Sequence, residues 1–424
     1  MNNIMLRNKP DNWQVVKLGQ CFEQRNEKVS DEDYSPLSVT YNGIVPQMEH
    51  VAKSNDRDNR KRVAIGDFVI NTRSDRRGAS GLSDYEGSVS LISLVVKPRK
   101  GHGRFLHYLL RSIAFQEEFY RYGHGIVSDL WTTGYSEFKN ILVALPDCHT
   151  QNHIAEFLDQ QCARIDRLIE KKRQVIAVLK QKEHIAIDGS LICDAGKPKH
   201  FKETGLSWIS QMPAHWKVER AKFLFRNVIR APLDDDKIIT AFRDGQVTLR
   251  ENRRTEGYTF AVKELGYQHI EQGDLVIHTM DAFAGAIGVS DSDGKATGEY
   301  AVCEAIAGNV NNYYYAQVLR CMAERRYIYV LCPSVRERAP RFRFSKFAPV
   351  CLPVPPRSEQ DEIANFVQRS RELRNKTDTS VSLLKRYRAS LITEIVTGQV
   401  NIQQSAVKGA TDKRLAQIEK ALVS

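Results

Sequence analysis

Cysteine is sparse and unpatterned in this 424-residue sequence: eight residues, scattered, with no Cys-x-x-Cys spacing. A disulfide framework and a zinc ribbon are disfavoured, and a reducing cytoplasm is the expected setting. Long apolar runs are missing too. None approaches the roughly 18 residues that a membrane span requires, and Met1 to Pro10 is too polar for a secretory signal. Catalytic signatures are likewise absent. There is no His-Glu-x-x-His, no Gly-x-Ser-x-Gly, no dinucleotide fingerprint, no Asn-Pro-Pro-Tyr-type motif and no glycine-rich methyl-donor loop. An enzyme acting alone is disfavoured, and no residue is assigned a catalytic or metal-binding role.

Two partial motifs are set aside. Gly288 to Ala296 contains Gly294-Lys295 and resembles a phosphate-binding loop. Its spacing fails by one residue, and Ala296 stands where a Ser or Thr would hold magnesium. It reads as a hairpin turn. His149 and His153, four apart beside Cys148, could share a metal. They flank a helix start with no further ligand spacing, so zinc is not expected.

Glycine and proline are also missing from two long stretches, Thr150 to Asp188 and Ser358 to Thr397. In the first, Ile165, Leu168, Ile169, Val175, Ile176 and Leu179 recur at steps of three, four and seven. They form one apolar stripe among Arg167, Lys171, Arg173 and Lys180. A straight helix of that length would reach roughly 55 Å. Its stripe needs a partner helix. The second stretch supplies one, with Ile363, Phe366, Leu373, Val381, Leu384, Tyr387, Leu391 and Ile395 in the same pattern and Gly398 closing it.

Around these stretches the chain has 42% hydrophobic residues, enough for real cores, and its length implies two or three domains. The net charge is +11 and the pI about 9.2, which favours a polyanionic partner. Residues 146–196, with the first long stretch, carry −1, whereas residues 197–357 carry +6. The basic character belongs to the globular parts.

Those parts repeat. At a constant shift of 207, Gly66–Ser90 matches Gly273–Thr297 at 11 of 25 positions, where chance would give roughly one or two. Gly66/Gly273, Asp67/Asp274, Gly78/Gly285, Gly81/Gly288 and Gly87/Gly294 are among the shared pairs. The helix starts correspond as well, with Gln151, Ile154, Ala155 and Phe157 facing Gln360, Ile363, Ala364 and Phe366. The chain is a tandem duplication of a globular domain followed by a long helix. Each globular part reads as mixed α/β. A short strand with a Gly43 turn is expected over Ser38 to Pro46, a turn and strand over Val63 to Ile70, a strand over Val89 to Val96, a strand with an Asp244-Gly245 turn signal over Ile238 to Thr248, and helices over Phe105 to Tyr120 and Asn311 to Glu324. Expected domain bounds are 1–148, a spacer helix over 149–196, a second domain over 197–356, and a second spacer helix with a tail over 357–424.

One loop breaks the repeat. Arg73-Ser74-Asp75-Arg76-Arg77 faces Met280-Asp281-Ala282-Phe283-Ala284. Either an exposed loop has drifted, or two copies of one scaffold read different targets. The basic segments favour a nucleic-acid reading: Arg60-Lys61-Arg62, Arg73, Arg76, Arg77, Arg253-Arg254, and Arg336 to Arg343, where Arg341 and Arg343 interleave with Phe342 and Phe344. Lys and Arg neutralise phosphates, and Arg can also pair with guanine edges.

Further motifs carry a resemblance. They are Gly273-Asp274-Leu275-Val276-Ile277-His278-Thr279-Met280 running into Gly285 to Ser290, Pro355-Pro356-Arg357-Ser358-Glu359-Gln360, and Trp208 followed by Pro213-Ala214-His215-Trp216. With the duplicated layout, the chain resembles the DNA-specificity subunit of a type I restriction-modification system. It departs from that pattern at Pro146 to Gln151, which lacks the second Pro and the Glu, and at Phe283, where Trp is usual. The resemblance implies two target recognition domains, each reading half of a bipartite, asymmetric site in double-stranded DNA. It implies two long antiparallel helices forming a coiled coil that sets the gap, and docking of modification subunits, two of them, and restriction subunits. The chain itself would hold no cofactor; S-adenosylmethionine and ATP would sit on the partners. His278, Thr279 and Met280 join the basic residues as expected DNA contacts. The residues alone also allow a non-enzymatic coiled-coil scaffold whose two domains bind protein partners.

Overall fold

The computed structural model describes residues 3–7, 9–47, 58–125, 131–188, 200–253, 266–306, 308–332, 341–402 and 409–420. It divides into two compact units, Met1–Arg173 with Thr377–Ser424, and Gln174–Lys376. The helices Cys148–Ile187 and Arg357–Val396 are each shared between the units.

The first unit is built on a four-stranded antiparallel sheet in the order Phe22–Gln24, Ser93–Pro98, Phe68–Asn71, Ser80–Leu82. In Phe68–Asn71 every residue is buried, because both faces of the sheet are covered. Successive side chains alternate. Phe68 and Ile70 pack on the helix side with Leu106, Leu109 and Phe115. Val69 points the other way, into a small β core with Leu37, Ile44, Val63 and Val89. A two-stranded pair, Gln14–Lys17 with Leu142–Leu145, brings the start and end of the globular part together.

The second unit repeats this plan. Its sheet runs Phe225–Val228, Tyr300–Ala305, Leu275–His278, Ile287–Val289, with Lys217–Arg220 pairing Cys351–Val354. Leu275 and Ile277 face the helices, while Val276 faces Ile239, Val247, Ile270 and Ala296. The residues shared by the two halves of the sequence hold this frame. Asp67 is buried, accepts from the backbone N–H of Ala64 at 2.8 Å and pairs with Arg25 at 2.6 Å. Asp274 does the same with Glu271 N–H at 2.9 Å and Arg230 at 2.6 Å. Gln151 accepts from His102 N–H and donates to the carbonyl of Pro146, both at 2.8 Å. Gln360 accepts from Asn311 N–H and donates to Pro355 C=O, both at 2.9 Å. Each glutamine ties a long helix to the globular part before it.

Within each unit the long helices run antiparallel. In the first, Ile154, Leu158, Ile165 and Ile169 share a core with Val381, Leu384, Leu391 and Ile395. In the second, Ala186 and Ile187 share one with Ile363, Ala364 and Val367, and buried Glu183 meets Ser370 at 2.6 Å and Arg374 at 2.9 Å. The expected stripe is not continuous: Val175 and Leu373 are exposed. The tail helix Ala410–Lys420 buries Leu415 and Ile418 in the first unit's core, and Asp412 pairs with Arg164.

Two further expectations change. The helix expected over Phe105 to Tyr120 is two, Gly103–Arg111 and Ile113–Arg121. Ser112 breaks it: its backbone is extended and its Oγ accepts from Phe115 N–H at 3.2 Å. The hairpin expected at Gly288 to Ala296 is absent. Ile287–Val289 pairs with Leu275–His278, and Gly294–Ala296 pairs with Gln268–Ile270 in another sheet. Gly294 is needed there for close approach: a Cβ would fall 2.5 Å from the Lys237 carbonyl oxygen, as one on Gly87 would fall 2.4 Å from that of Ser35. Among the described residues no helix is long and apolar enough to cross a membrane.

Candidate nucleic-acid interface

The divergent loop leaves the same end of the same strand in both units. In the first, Phe68–Asn71 runs into the turn Ser74–Arg76. Tyr120 Oη donates to Asn71 C=O at 2.7 Å, and Thr133 N–H to Thr72 C=O at 3.2 Å, so the loop's base is fixed. Arg73 is half-buried, and Arg76 and Arg77 are exposed. The Arg77 guanidinium lies 5.6 Å over the Tyr120 ring and 3.9 Å from Glu117. The loop presents exposed cationic groups on a fixed base.

Arg60-Lys61-Arg62 takes a different role. The strand Arg60–Val63 is internal to a three-stranded sheet. Arg60 is 7% exposed and donates to the Ser88 hydroxyl at 2.8 Å and carbonyl at 3.0 Å. Lys61 donates to Ser93 C=O at 2.8 Å. Burial pushes both basic groups below their ordinary pKa. Arg62 bridges Glu27 and Glu86 and lies 5.1 Å over the Tyr34 ring. These three side chains are spent on the protein's own carbonyls and carboxylates.

In the second unit the strand Leu275–His278 ends at a concavity of about 660 Å³, lined by Phe242, Arg243, Asp244, Arg253, His278 and Asp281, with Tyr300 at its floor. His278 stacks edge-on against Tyr300 at 4.6 Å, and its Nδ1 accepts from Asp281 N–H at 3.2 Å. Burial lowers its pKa, so the ring is neutral at pH 7, and with Nδ1 accepting, its proton belongs on Nε2. Arg253 lies 4.2 Å over the Phe242 ring and pairs with Asp244 at 2.7 Å. Arg243 pairs with Asp281 at 3.0 Å. Met280 is 39% exposed at the rim. Thr279 is buried; its hydroxyl donates to Glu299 at 3.1 Å and its carbonyl accepts from Phe342 N–H. Arg341 pairs with Glu299 at 3.0 Å, and Arg343 is exposed before the short helix Phe344–Phe347. Arg254 and Arg336 lie outside the described residues.

A family model for the type I restriction modification DNA specificity domain matches residues 10–178. That stretch, short of half the chain, is similar to the specificity domain of this family. No curated protein matches the sequence. A solved structure described as the structural basis underlying complex assembly and conformational transition of the type I R-M system contains a chain with 15% identity and a TM-score of 0.58. The alignment covers 93% of this chain and 100% of that one, and at this identity it shows the shared fold. The HsdS subunit from Thermoanaerobacter tengcongensis aligns at 14% identity over 92% and 98% of the two chains, TM-score 0.45. The type I S subunit from M. genitalium aligns at 12% over 93% and 99%, TM-score 0.46.

Sequence reasoning missed Arg243, Phe242 and Tyr300, which the fold brings beside His278. Asp281 was visible as part of the divergent loop. Arg243 stands beside Asp244-Gly245, a turn signal in the sequence and the tip of the hairpin in the fold. Nothing in the linear order connected that tip to His278, 35 residues on. Among the described residues, no group of three or more His, Cys, Asp or Glu could hold a metal ion. His149 and His153 lie ring against ring, 4.1 Å apart.

Proposed function

We propose that the two units each read one half of a bipartite, asymmetric site in double-stranded DNA, and that the long helices set the gap between the halves. The observation that carries this reading is the duplicated sheet with unlike chemistry at one loop. Asp67 and Asp274 anchor equivalent turns, yet Arg76 and Arg77 occupy one loop while His278, Met280 and Asp281 occupy the other. Arg73, Arg76 and Arg77 serve the first half-site. Arg243, Arg253, His278, Met280, Arg341 and Arg343 serve the second. Exposed Arg groups supply phosphate contacts and bidentate contacts to guanine. The neutral His278 offers an Nε2–H donor for a base acceptor.

In this reading the chain supplies address and no catalysis. Two modification subunits carrying S-adenosylmethionine dock on the long helices and methylate adenine, and restriction subunits using ATP complete the nuclease. Val175, Val178 and Leu373, apolar and exposed on those helices, give such partners a surface. Replacing Arg76 and Arg77 together with Ala tests the assignment. Methylation should relax at one half-site, with roughly a 10- to 100-fold loss of discrimination per base contact removed, and stay strict at the other. Unchanged selectivity at both half-sites would remove the loop from the interface.

A further inference from the structure

Each unit pins the tip of one hairpin with a single arginine from the helix behind it. In the first, Arg111 ends the helix Gly103–Arg111 and donates from Nη2 to Tyr41 C=O at 2.6 Å. In the second, Arg320 of the helix Asn312–Glu324 donates from Nη1 to Arg243 C=O at 3.2 Å and to Gly285 C=O at 2.7 Å. The two arginines are equivalent. Each stands nine residues after the backbone N–H, of His102 or Asn311, that donates to a long-helix glutamine. The hairpins are equivalent too: Leu37–Thr40 with Gly43–Pro46, and Ile239–Ala241 with Val247–Leu249. Tyr41 and Arg243 each precede by two residues a glycine of positive φ, Gly43 at 118° and Gly245 at 89°.

The packing around these tips is close. A Cβ on Gly245 would fall 2.1 Å from Arg320 Nη1, and one on Gly288 would fall 2.1 Å from the Gly245 carbonyl oxygen. In the first unit a Cβ on Gly81 would fall 2.9 Å from Gly43 Cα. Arg320 is only 8% exposed, and its Nε has no hydrogen-bond partner among the described residues. A buried guanidinium is costly, and an apolar side chain of similar volume often stabilises as well or better. What the guanidinium adds is direction. It fixes two loop carbonyls against one helix, beside the Arg243–Asp281 pair at the rim of the concavity. In the first unit the tip it holds presents Tyr41, 62% exposed.

We propose that Arg111 and Arg320 are positioning residues for base reading, each holding a hairpin tip, Tyr41 in one unit and Arg243 in the other, in one pose toward the DNA. This rests on the DNA-reading function proposed above and adds to it. Neither arginine touches DNA. Each acts by keeping the tip within the fraction of an ångström that base discrimination requires.

The test maps methylated adenines in cells carrying the chain with its modification subunits, for the wild type, Arg111→Gln and Arg320→Gln. Methylation at sites with a single mismatch in one half should rise about tenfold relative to matched sites. Arg111→Gln should relax one half-site and Arg320→Gln the other. A purely structural role predicts instead a uniform fall in methylation with both halves as strict as before, and that result overturns the proposal. Relaxation of both halves by either substitution overturns it as well. Gly245→Ala, which drives the hairpin off Arg320 while leaving the guanidinium present, must relax the same half as Arg320→Gln. Its strictness would overturn the proposal even if the Arg320→Gln chain fails to accumulate. A wild-type chain that yields no two-part motif refutes the DNA-reading function itself, before any variant is compared.

Discussion

Basic residues in this chain divide by the element they occupy, a strand inside a sheet or an exposed turn. Arg60 and Lys61 turn toward Ser88 and Ser93, whereas Arg76 and Arg77 stand on a turn and remain exposed. Composition counts all four alike. A short strand with three consecutive basic residues gives no sign of which will meet a buried carbonyl. The anchors were easier to see, because Asp67 and Asp274 occur twice at one spacing. Their physical reason is a carboxylate that must satisfy a turn N–H and a guanidinium together. Histidine gives a prediction at this scale. Burial beside Arg111 lowers His107 to a pKa of about 4, and its Nδ1 accepts from Leu82 N–H at 3.3 Å. A depressed histidine leaves the unfolded chain binding more protons in acid. Its contribution is fully present above the ordinary value of about 6.5 and is lost as pH falls from there toward about 4. Thermal unfolding followed across that range should show a slope that His107→Gln reduces.

Among the elements, the long helices were legible because length, periodicity and the lack of glycine and proline all agree. Their bounds, Cys148–Ile187 and Arg357–Val396, fall within two residues of the expected stretches. The break at Ser112 was not legible. A serine inside an apolar pattern is tolerated in most helices, and only the extended conformation that its hydroxyl caps reveals the stop. Gly294-Lys295 misled for a related reason. Glycine serves close backbone approach as readily as a turn, and the partner strand is remote in sequence. Leu158 offers a direct test of the helix pair. It is fully buried in the first unit's core with Leu384 and Leu391. Leu158→Ala should cost about 2–5 kcal/mol, read from denaturant unfolding, whereas Val175→Ala, at an exposed position, should change stability by less than about 0.5 kcal/mol.

For the whole molecule, duplication is the organising fact. The same strand order, the same Asp–Arg pair, the same glutamine at the helix start and the same arginine behind a hairpin tip occur twice. The frame is kept where backbone polar groups must be satisfied and is free to differ where side chains face outward. That is why the frame could be read from the repeat, while the members of the concavity could not: Arg243, His278 and Tyr300 meet only through the fold. Under the proposed function, the two kindred units read an address in two unlike parts. The most direct measurement is a genome-wide map of methylated adenines in cells expressing this chain with its modification subunits. A single asymmetric motif, two short specified blocks around a gap of constant length, is the predicted result. One uninterrupted block, a palindrome, a gap of variable length, or no motif at all would contradict the account.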